Sequence, residues 1–431
     1  MGCRRTRCVH FFLIFLLAVT LHAQEITGNW QGLLGGKFRV VLQITKSADG
    51  KLQGNLYRID QSPHSIPVTT LSFVSPTLKL TIDELNASYE VALSTDGKTM
   101  TGTLTSGQAT SLILYRANPE TAWKFGSSSH TVQMVSVEKG VSLEVLDWGG
   151  RGRPLVLLTG LGDTAHVFDE FAPKLTASYH VYGITRRGRG ASSTPEPNAT
   201  NYSADRLGED VLAVIDALHL NKPLLAGHSM AGEELTYIGS HYPEKVAGLI
   251  YMEAGYPYAL YDQTNGELEL DAIELRNQLR QFINGYALEP VKDYDNLIAN
   301  LQRVEKEVKE QQQDTGKLPP TPVSPRMTPD LFAILEGRER FTTIHALALV
   351  IMGDEDNPHP ASEDDPKSRA EAVRQALEIR NKKRQVAAFE RQVPSAHMVL
   401  IPHATHYVFQ SNEADVLREM NTFIATLPPA N

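Results

Sequence analysis

The segment Ala226-Gly227-His228-Ser229-Met230-Ala231-Gly232 places a serine where an apolar strand containing Leu224-Leu225 gives way to a helix, Glu233 to His241. A serine on so sharp a strand-to-helix turn is held in a strained backbone with its hydroxyl exposed at the carboxyl edge of a sheet. The tightness of the turn demands small flanking side chains, and Gly227 and Ala231 meet that demand. Negative charge developing near this serine would face the positive end of the following helix, and the Met230 N–H could donate to an oxyanion. The chemistry suggested is nucleophilic attack. A serine alcohol is unreactive at neutral pH, so it needs a base beside it, and the base needs an acid to fix its tautomer.

Such a turn requires a sheet, and from Thr131 onward apolar β runs alternate with helix-length segments. That alternation predicts a mostly parallel sheet with helices on both faces. Eight strands are expected, at 132–137, 142–148, 155–159, 180–184, 223–226, 246–252, 347–352 and 398–401. Between them fall helices such as 205–218, where Leu207, Val211, Val214, Ile215 and Leu218 share one face.

The serine turn and this strand pattern resemble the serine α/β-hydrolase superfamily, from about Thr131 to the C-terminus. Ala231 stands where the family's G-x-S-x-G has its last glycine, a small-for-small change. The resemblance implies a triad in the order Ser, Asp or Glu, His. Gly353-Asp354-Glu355-Asp356-Asn357-Pro358, after the seventh strand, looks like the family's acid loop, with Asp356 at the matching position. Glu253, after the sixth strand, is a second place where related enzymes carry the acid. Pro402-His403-Ala404-Thr405-His406-Tyr407, after the last strand, looks like the histidine loop, with His406 as the base; His228 and His403 are read as packing or loop residues. The second oxyanion donor implied is the Leu161 N–H in Thr159-Gly160-Leu161-Gly162-Asp163, with Thr159 where the family usually has histidine. Arg186 to Ser192 resembles the loop after the fourth strand and is read as structural.

About ninety residues, Tyr256 to Ile344, separate the sixth and seventh strands, far more than an ordinary connection. They are expected to form an inserted cap, with helical spacing at 268–282 and 297–308 and a break at Pro319-Pro320-Thr321-Pro322. Tyr256, Tyr258, Tyr261, Phe282 and Tyr286 either line a substrate pocket beneath the cap or pack it onto the core. The charge run from Glu305 to Glu310 reads as a solvated face.

Residues 24–118 read differently, as short alternating segments broken by turn dipeptides. Phe38, Val40, Leu42 and Ile44 alternate with neighbours of the other face, and Asp49-Gly50 turns the chain into Leu52, Gly54 and Leu56. The pattern recurs as Tyr89, Val91, Leu93, then Asp96-Gly97, then Met100, Gly102 and Leu104, which favours a small all-β, barrel-like domain of two related halves. Trp30 either plugs the end of its core or stacks on a ligand. No catalytic pairing is legible in this region, so it is read as a binding or packing module whose partner is unknown. The stretch 119–130, with Gly126 and Ser127 to Ser129, has the composition of a linker.

At the N-terminus, Arg4, Arg5 and Arg7 precede nine apolar residues, Phe11 to Val19, and a small residue, Ala23. That is the pattern of a signal peptide over residues 1–23, too short to span a bilayer as a permanent helix. Cleavage would take the formal charge from −9 to −12 and remove both cysteines, Cys3 and Cys8. The expectation is a secreted or periplasmic protein with no further integral membrane span. The negative charge and the absence of long Lys/Arg runs speak against nucleic acid as a partner.

Together these readings predict a serine hydrolase acting on a small-molecule carboxylic ester, or on a related acyl bond such as a lactone or amide, through Ser229, His406 and Asp356 (or Glu253), with Leu161 and Met230 N–H groups holding the oxyanion. No metal or organic cofactor is implied. Two alternatives stay open: a cofactor-free non-hydrolytic enzyme on the same scaffold, and a catalytically silent scaffold carrying a ligand-binding β module.

Overall fold

The computed structural model describes residues 25–34, 38–47, 49–59, 65–106, 108–118, 123, 130–255, 258–284, 292–316, 328–354 and 366–428. The signal segment, most of the linker, the break at 319–322, Tyr256, Tyr286 and Asp356 lie outside the described residues.

The first domain is one antiparallel sheet built from β1 (Gly28–Leu34), β2 (Phe38–Lys46), β3 (Leu52–Arg58), β4 (Ser65–Pro67), β5 (Thr70–Val74), β6 (Thr77–Ile82), β7 (Ala87–Leu93), β8 (Thr99–Ser106) and β9 (Gln108–Ala117). The strand order is β4-β3-β2-β1-β9-β8-β7-β6-β5. The sheet curls into a half-barrel, and the chain between β4 and β5 bridges its two ends: Val68 N donates to Gly54 O of β3 and Thr69 N to Thr81 O of β6. Both expected hairpins are present, β2 with β3 and β7 with β8. Their turns share Ser-x-Asp-Gly-Lys, at 47–51 and 94–98, with Gly50 and Gly97 at φ +82° and +68°. Glycine takes that left-handed geometry without the Cβ clash another residue would meet. In β7 the alternation is strict, with Ala87, Tyr89, Val91 and Leu93 buried and the residues between them exposed. Trp30 is fully buried in this core, donates its indole N–H to Ile26 O at 2.9 Å, and lies under the Arg116 guanidinium.

The second domain is an eight-stranded sheet of β10 (Thr131–Glu138), β11 (Val141–Gly149), β12 (Pro154–Leu158), β13 (His180–Ile184), β14 (Leu224–His228), β15 (Gly248–Met252), β16 (Ala348–Asp354) and β17 (His397–Pro402). Its helices are α1 (Ala199–Tyr202), α2 (Ala204–Ala217), α3 (Gly232–His241), α4 (Leu268–Ile283), α5 (Lys292–Thr315), α6 (Pro329–Glu336), α7 (Pro366–Gln392), α8 (Val408–Ser411) and α9 (Glu413–Ala425). The order is β10-β11-β13-β12-β14-β15-β16-β17; β10 and β11 run antiparallel to their neighbours and the remaining pairs are parallel. Successive residues of β12 feed opposite faces, as a two-residue period requires. Val156 and Leu158 join a core with Val211, Ile215, Leu235 and Phe389, while Leu155 and Leu157 join Phe168, Phe409, Met420 and Phe423.

After β12 the chain moves first to β13 on one side and later returns to β14 on the other. The carboxyl ends of β12 and β14 therefore flank a crevice at a topological switch point, where open α/β sheets place their ligands. Leu158 pairs with Gly227 across this junction, so the loop 159–164 and the turn at Ser229 emerge side by side.

The long α7 has no counterpart in the sequence reading. Its residues are good helix formers, but they are largely charged, and only Ala388 and Phe389 near its C-terminal end are buried among its described side chains. An apolar stripe that would announce it is therefore missing.

Candidate active site

Ser229 follows β14 in a tight turn at φ 54°, and one 3₁₀ turn, Ser229 to Ala231, leads into α3. The small neighbours are sterically required. A Cβ on Gly227 would come 2.8 Å from the Ala231 Cβ, and one on Gly232 only 2.1 Å from the Ala254 carbonyl oxygen. The serine is 5% exposed.

His406 reaches it from the loop after β17, with Nε2 2.9 Å from Ser229 Oγ. The other ring nitrogen, Nδ1, lies 3.5 Å from Glu253 Oε2. Glu253 follows β15 directly at φ 50°, a left-handed conformation costly for a residue with a Cβ. That backbone is tied down by the Glu253 N–H, which donates to Ile351 O at 2.8 Å. Its second carboxylate oxygen accepts the Gly353 N–H and pairs with Lys382 Nζ at 3.1 Å. Burial pushes this carboxyl up, but the hydrogen bond to His406, the Lys382 charge and the Gly353 N–H outweigh it and hold the group below its ordinary range. It is an ionised partner for an imidazole.

The structure thus brings Ser229, His406 and Glu253 together, whereas Asp356 lies outside the described residues. Lys382 had no signal in the sequence, because it comes from α7, which the pattern did not reveal. His228 does more than fill space: its Nε2 donates to the His406 carbonyl at 2.8 Å, and its ring packs on those of His406 and Tyr407. Tyr407 in turn donates to Asp163 Oδ2 at 3.1 Å, joining the histidine loop to the loop after β12.

That loop is pinned by Arg186. Its guanidinium donates to the carbonyls of Thr159 at 2.8 Å and Gly160 at 3.1 Å while Nε pairs with Glu234 Oε1 at 2.7 Å, all in the interior. Leu161, next in the loop, packs in one apolar cluster with Met230, Tyr258, Ala333 and Ile334. No acceptor among the described residues takes the N–H of Leu161 or Met230. Two uncommitted N–H groups at the strand ends, one of them at the start of a helix, can hold negative oxygen.

The described part of the cap closes over this point. α4 packs on α5. α6 supplies Ala333 and Ile334 above Met230, with Arg189 ion-paired to Asp330 at its start and Arg276 to Glu336 at its end. Of the cap aromatics, Tyr258 packs against the cluster of Met230 and Ile334, and burial raises its phenol, with Ser229 acting in the opposite sense. Tyr261 is buried and donates to Asp271 at 2.6 Å, and Phe282 is exposed and packs edge-on against Tyr294.

A family profile described as the alpha/beta hydrolase fold matches residues 153–366. The chain is 32% identical over 106 residues to 3-oxoadipate enol-lactonase 2 of Acinetobacter baylyi, covering 24% of this chain and 39% of that protein. It is 32% identical over 140 residues to the AB hydrolase superfamily protein YisY of Bacillus subtilis, covering 30% and 51% respectively. It is 31% identical over 134 residues to a non-heme chloroperoxidase of Streptomyces lividans, covering 30% and 48%. The chain spans about half the length, or less, of these curated relatives.

Proposed function

Because the chain belongs, through its second domain, to the α/β-hydrolase superfamily, we propose that it is a serine hydrolase of small carboxylic esters working through Ser229, His406 and Glu253. The observation that carries this reading is the imidazole of His406, with one nitrogen 2.9 Å from the Ser229 hydroxyl and the other turned to a buried carboxylate. His406 takes the hydroxyl proton as Ser229 attacks the ester carbonyl, and Glu253 fixes the tautomer and stabilises the imidazolium. The N–H groups of Met230 and Leu161 hold the oxyanion, a contribution of about 3 kcal/mol for each donor. His406 then returns the proton to the departing alkoxide. A water attacks the acyl-enzyme with His406 again as base, and the acid leaves.

Glu253 replaces Asp356 as the proposed acid because it is the carboxylate at hydrogen-bonding range of His406 among the described residues. The apolar wall of Met230, Leu161, Ala333 and Ile334 suits an uncharged acyl group. An enol-lactonase among the relatives agrees with an oxygen ester as the bond attacked. In the same reading residues 1–23 direct export, so the substrate is met outside the cytoplasm.

The test is turnover of p-nitrophenyl esters of graded chain length together with product analysis. Release of free acid and alcohol in equal amounts, abolished in Ser229→Ala, is the expected result. Products of halogenation or carbon–carbon cleavage, or turnover that survives the substitution, would overturn it.

A further inference from the structure

Away from Ser229, at the joint between the two domains, two imidazoles and a carboxylate converge in the interior. His130 ends the linker just before β10, and His166 and Asp169 follow the loop that carries Leu161. Their side chains are 3%, 1% and 5% exposed. His130 Nδ1 lies 3.0 Å from Asp169 Oδ1, His166 Nδ1 lies 3.3 Å from Asp169 Oδ2, and one ligand atom from each residue falls within 4.8 Å of the others. We infer that His130, His166 and Asp169 form a binding site for one divalent transition-metal ion, separate from the hydrolytic site, that fastens the linker to the loop behind the oxyanion donor.

Four observations lead there. The first is that the short approach of His130 Nδ1 to Asp169 Oδ1 is not an aligned hydrogen bond, and both atoms are buried with no other hydrogen-bond partner among the described residues. Buried polar atoms are almost always satisfied, and an ion held between these two would satisfy both. Two of the spacings, 3.0 and 3.3 Å, match donors around one ion, which sit about 3.0–3.5 Å apart at bond lengths of about 2.0–2.2 Å, and the set as a whole, within 4.8 Å, needs only a small side-chain closure to reach that geometry.

The third observation is a supporting carboxylate. Glu144 Oε1 lies 3.6 Å from His166 Nε2, and Glu144 Oε2 accepts the Thr185 hydroxyl at 2.7 Å. An imidazole that binds metal through one nitrogen and faces a hydrogen-bonded carboxylate with the other is the usual outer support of a metal-ligating histidine. The fourth is charge. Glu144 and Asp169 are buried together, and among the described residues their ion-pair partners are these histidines, with no lysine or arginine paired to either. Two buried carboxylates need compensating positive charge. Imidazole and carboxylate donors select zinc, nickel, cobalt or manganese over calcium or magnesium. The rival occupant is the proton, which on an imidazole would also place positive charge between Asp169 and Glu144. Metal binding must displace that proton, so the apparent affinity rises with pH. The joint itself is structural: Glu170, next to Asp169, accepts from Arg39 of β2 at 3.3 Å.

The test uses the full mature chain without an affinity tag, stripped with a chelator and titrated with Zn²⁺ and Co²⁺ at pH 8. Expected are one equivalent bound by calorimetry and elemental analysis, a visible Co²⁺ d–d spectrum, and a rise in Tm that saturates at one equivalent. His130→Ala, which leaves the His166–Asp169 pair in place, weakens binding at least tenfold and abolishes the Co²⁺ spectrum, and its ester turnover stays within threefold of the parent. Asp169→Asn supplies a second variant should the first misfold. Equal Tm values with and without metal, or binding that persists unchanged in both variants, would overturn the site and leave a protonated histidine cluster.

Discussion

Replacing Glu253 by Gln keeps the shape of the side chain and an oxygen for the Gly353 N–H, but removes the negative charge facing His406. During attack the imidazole becomes cationic. Two unit charges 3.5 Å apart, the observed separation, attract by about 5 kcal/mol at an effective dielectric of about 20. The Glu253 side chain is only 9% exposed, but that of His406 is 37% exposed, and solvent screening removes about half of this. About 2.5 kcal/mol is left, or roughly 70-fold in rate. Loss of tautomer control adds to it, and removal of the acid from a comparable triad costs about 10⁴-fold. Glu253→Gln is therefore expected to lower kcat by roughly 10² to 10⁴ with little change in KM, whereas Asp356→Asn stays within about threefold. The assay is steady-state hydrolysis of p-nitrophenyl acetate at pH 8, with Ser229→Ala defining the background. A Glu253→Gln enzyme within fivefold of the parent, alongside an Asp356→Asn enzyme near background, would refute the assignment.

Other consequences follow from the same contacts. Arg186→Met strips donors from the Thr159 and Gly160 carbonyls and leaves Glu234 buried without its cation; kcat should fall about 10- to 100-fold at similar KM, and stability by about 3–5 kcal/mol in denaturant titration. Glu253 is held below its ordinary pKa, so its contribution to stability is present above its unfolded value of about 4.3 and is lost as pH falls through the lower folded value. The stability difference between the parent and Glu253→Gln should accordingly be flat above about pH 5.5 and shrink below about pH 4.3 in urea titrations at a series of pH values. Trp30→Ala opens a cavity in the half-barrel core and should cost that domain about 3–5 kcal/mol, read as a lowered transition in thermal unfolding, with ester kinetics unchanged.

The strands of both domains were legible because their periods are simple. Ala87 to Leu93 alternates residue by residue, and the runs at 155–158 and 347–352 are continuously apolar because helices cover both faces of the sheet. Ser229 was legible because a strand-to-helix turn leaves a local trace, namely small residues at fixed offsets. His406 could be placed by its position after the last strand. The choice between Glu253 and Asp356 was not legible, because in the sequence each comes shortly after one of two strands, β15 and β16, that are adjacent and parallel. No spacing in the sequence records which carboxylate faces the imidazole. Lys382 and the clamp of Arg186 on two carbonyls are contacts between segments far apart in the chain, and neither repeats at any spacing a single sequence displays. The helix α7 escaped for the opposite reason: its local propensity is high, but its charged residues give no apolar face to count.

The proposed mechanism requires Ser229 to become covalently acylated. The most direct measurement is mass spectrometry of the protein quenched at acid pH during turnover of p-nitrophenyl acetate, with peptide mapping of the product and Glu253→Gln included to slow deacylation. One acetyl group per chain on the peptide bearing Ser229, absent from Ser229→Ala, is the predicted result. Steady ester turnover with no acyl adduct at Ser229 in either form, or an adduct mapping to another residue, would contradict it.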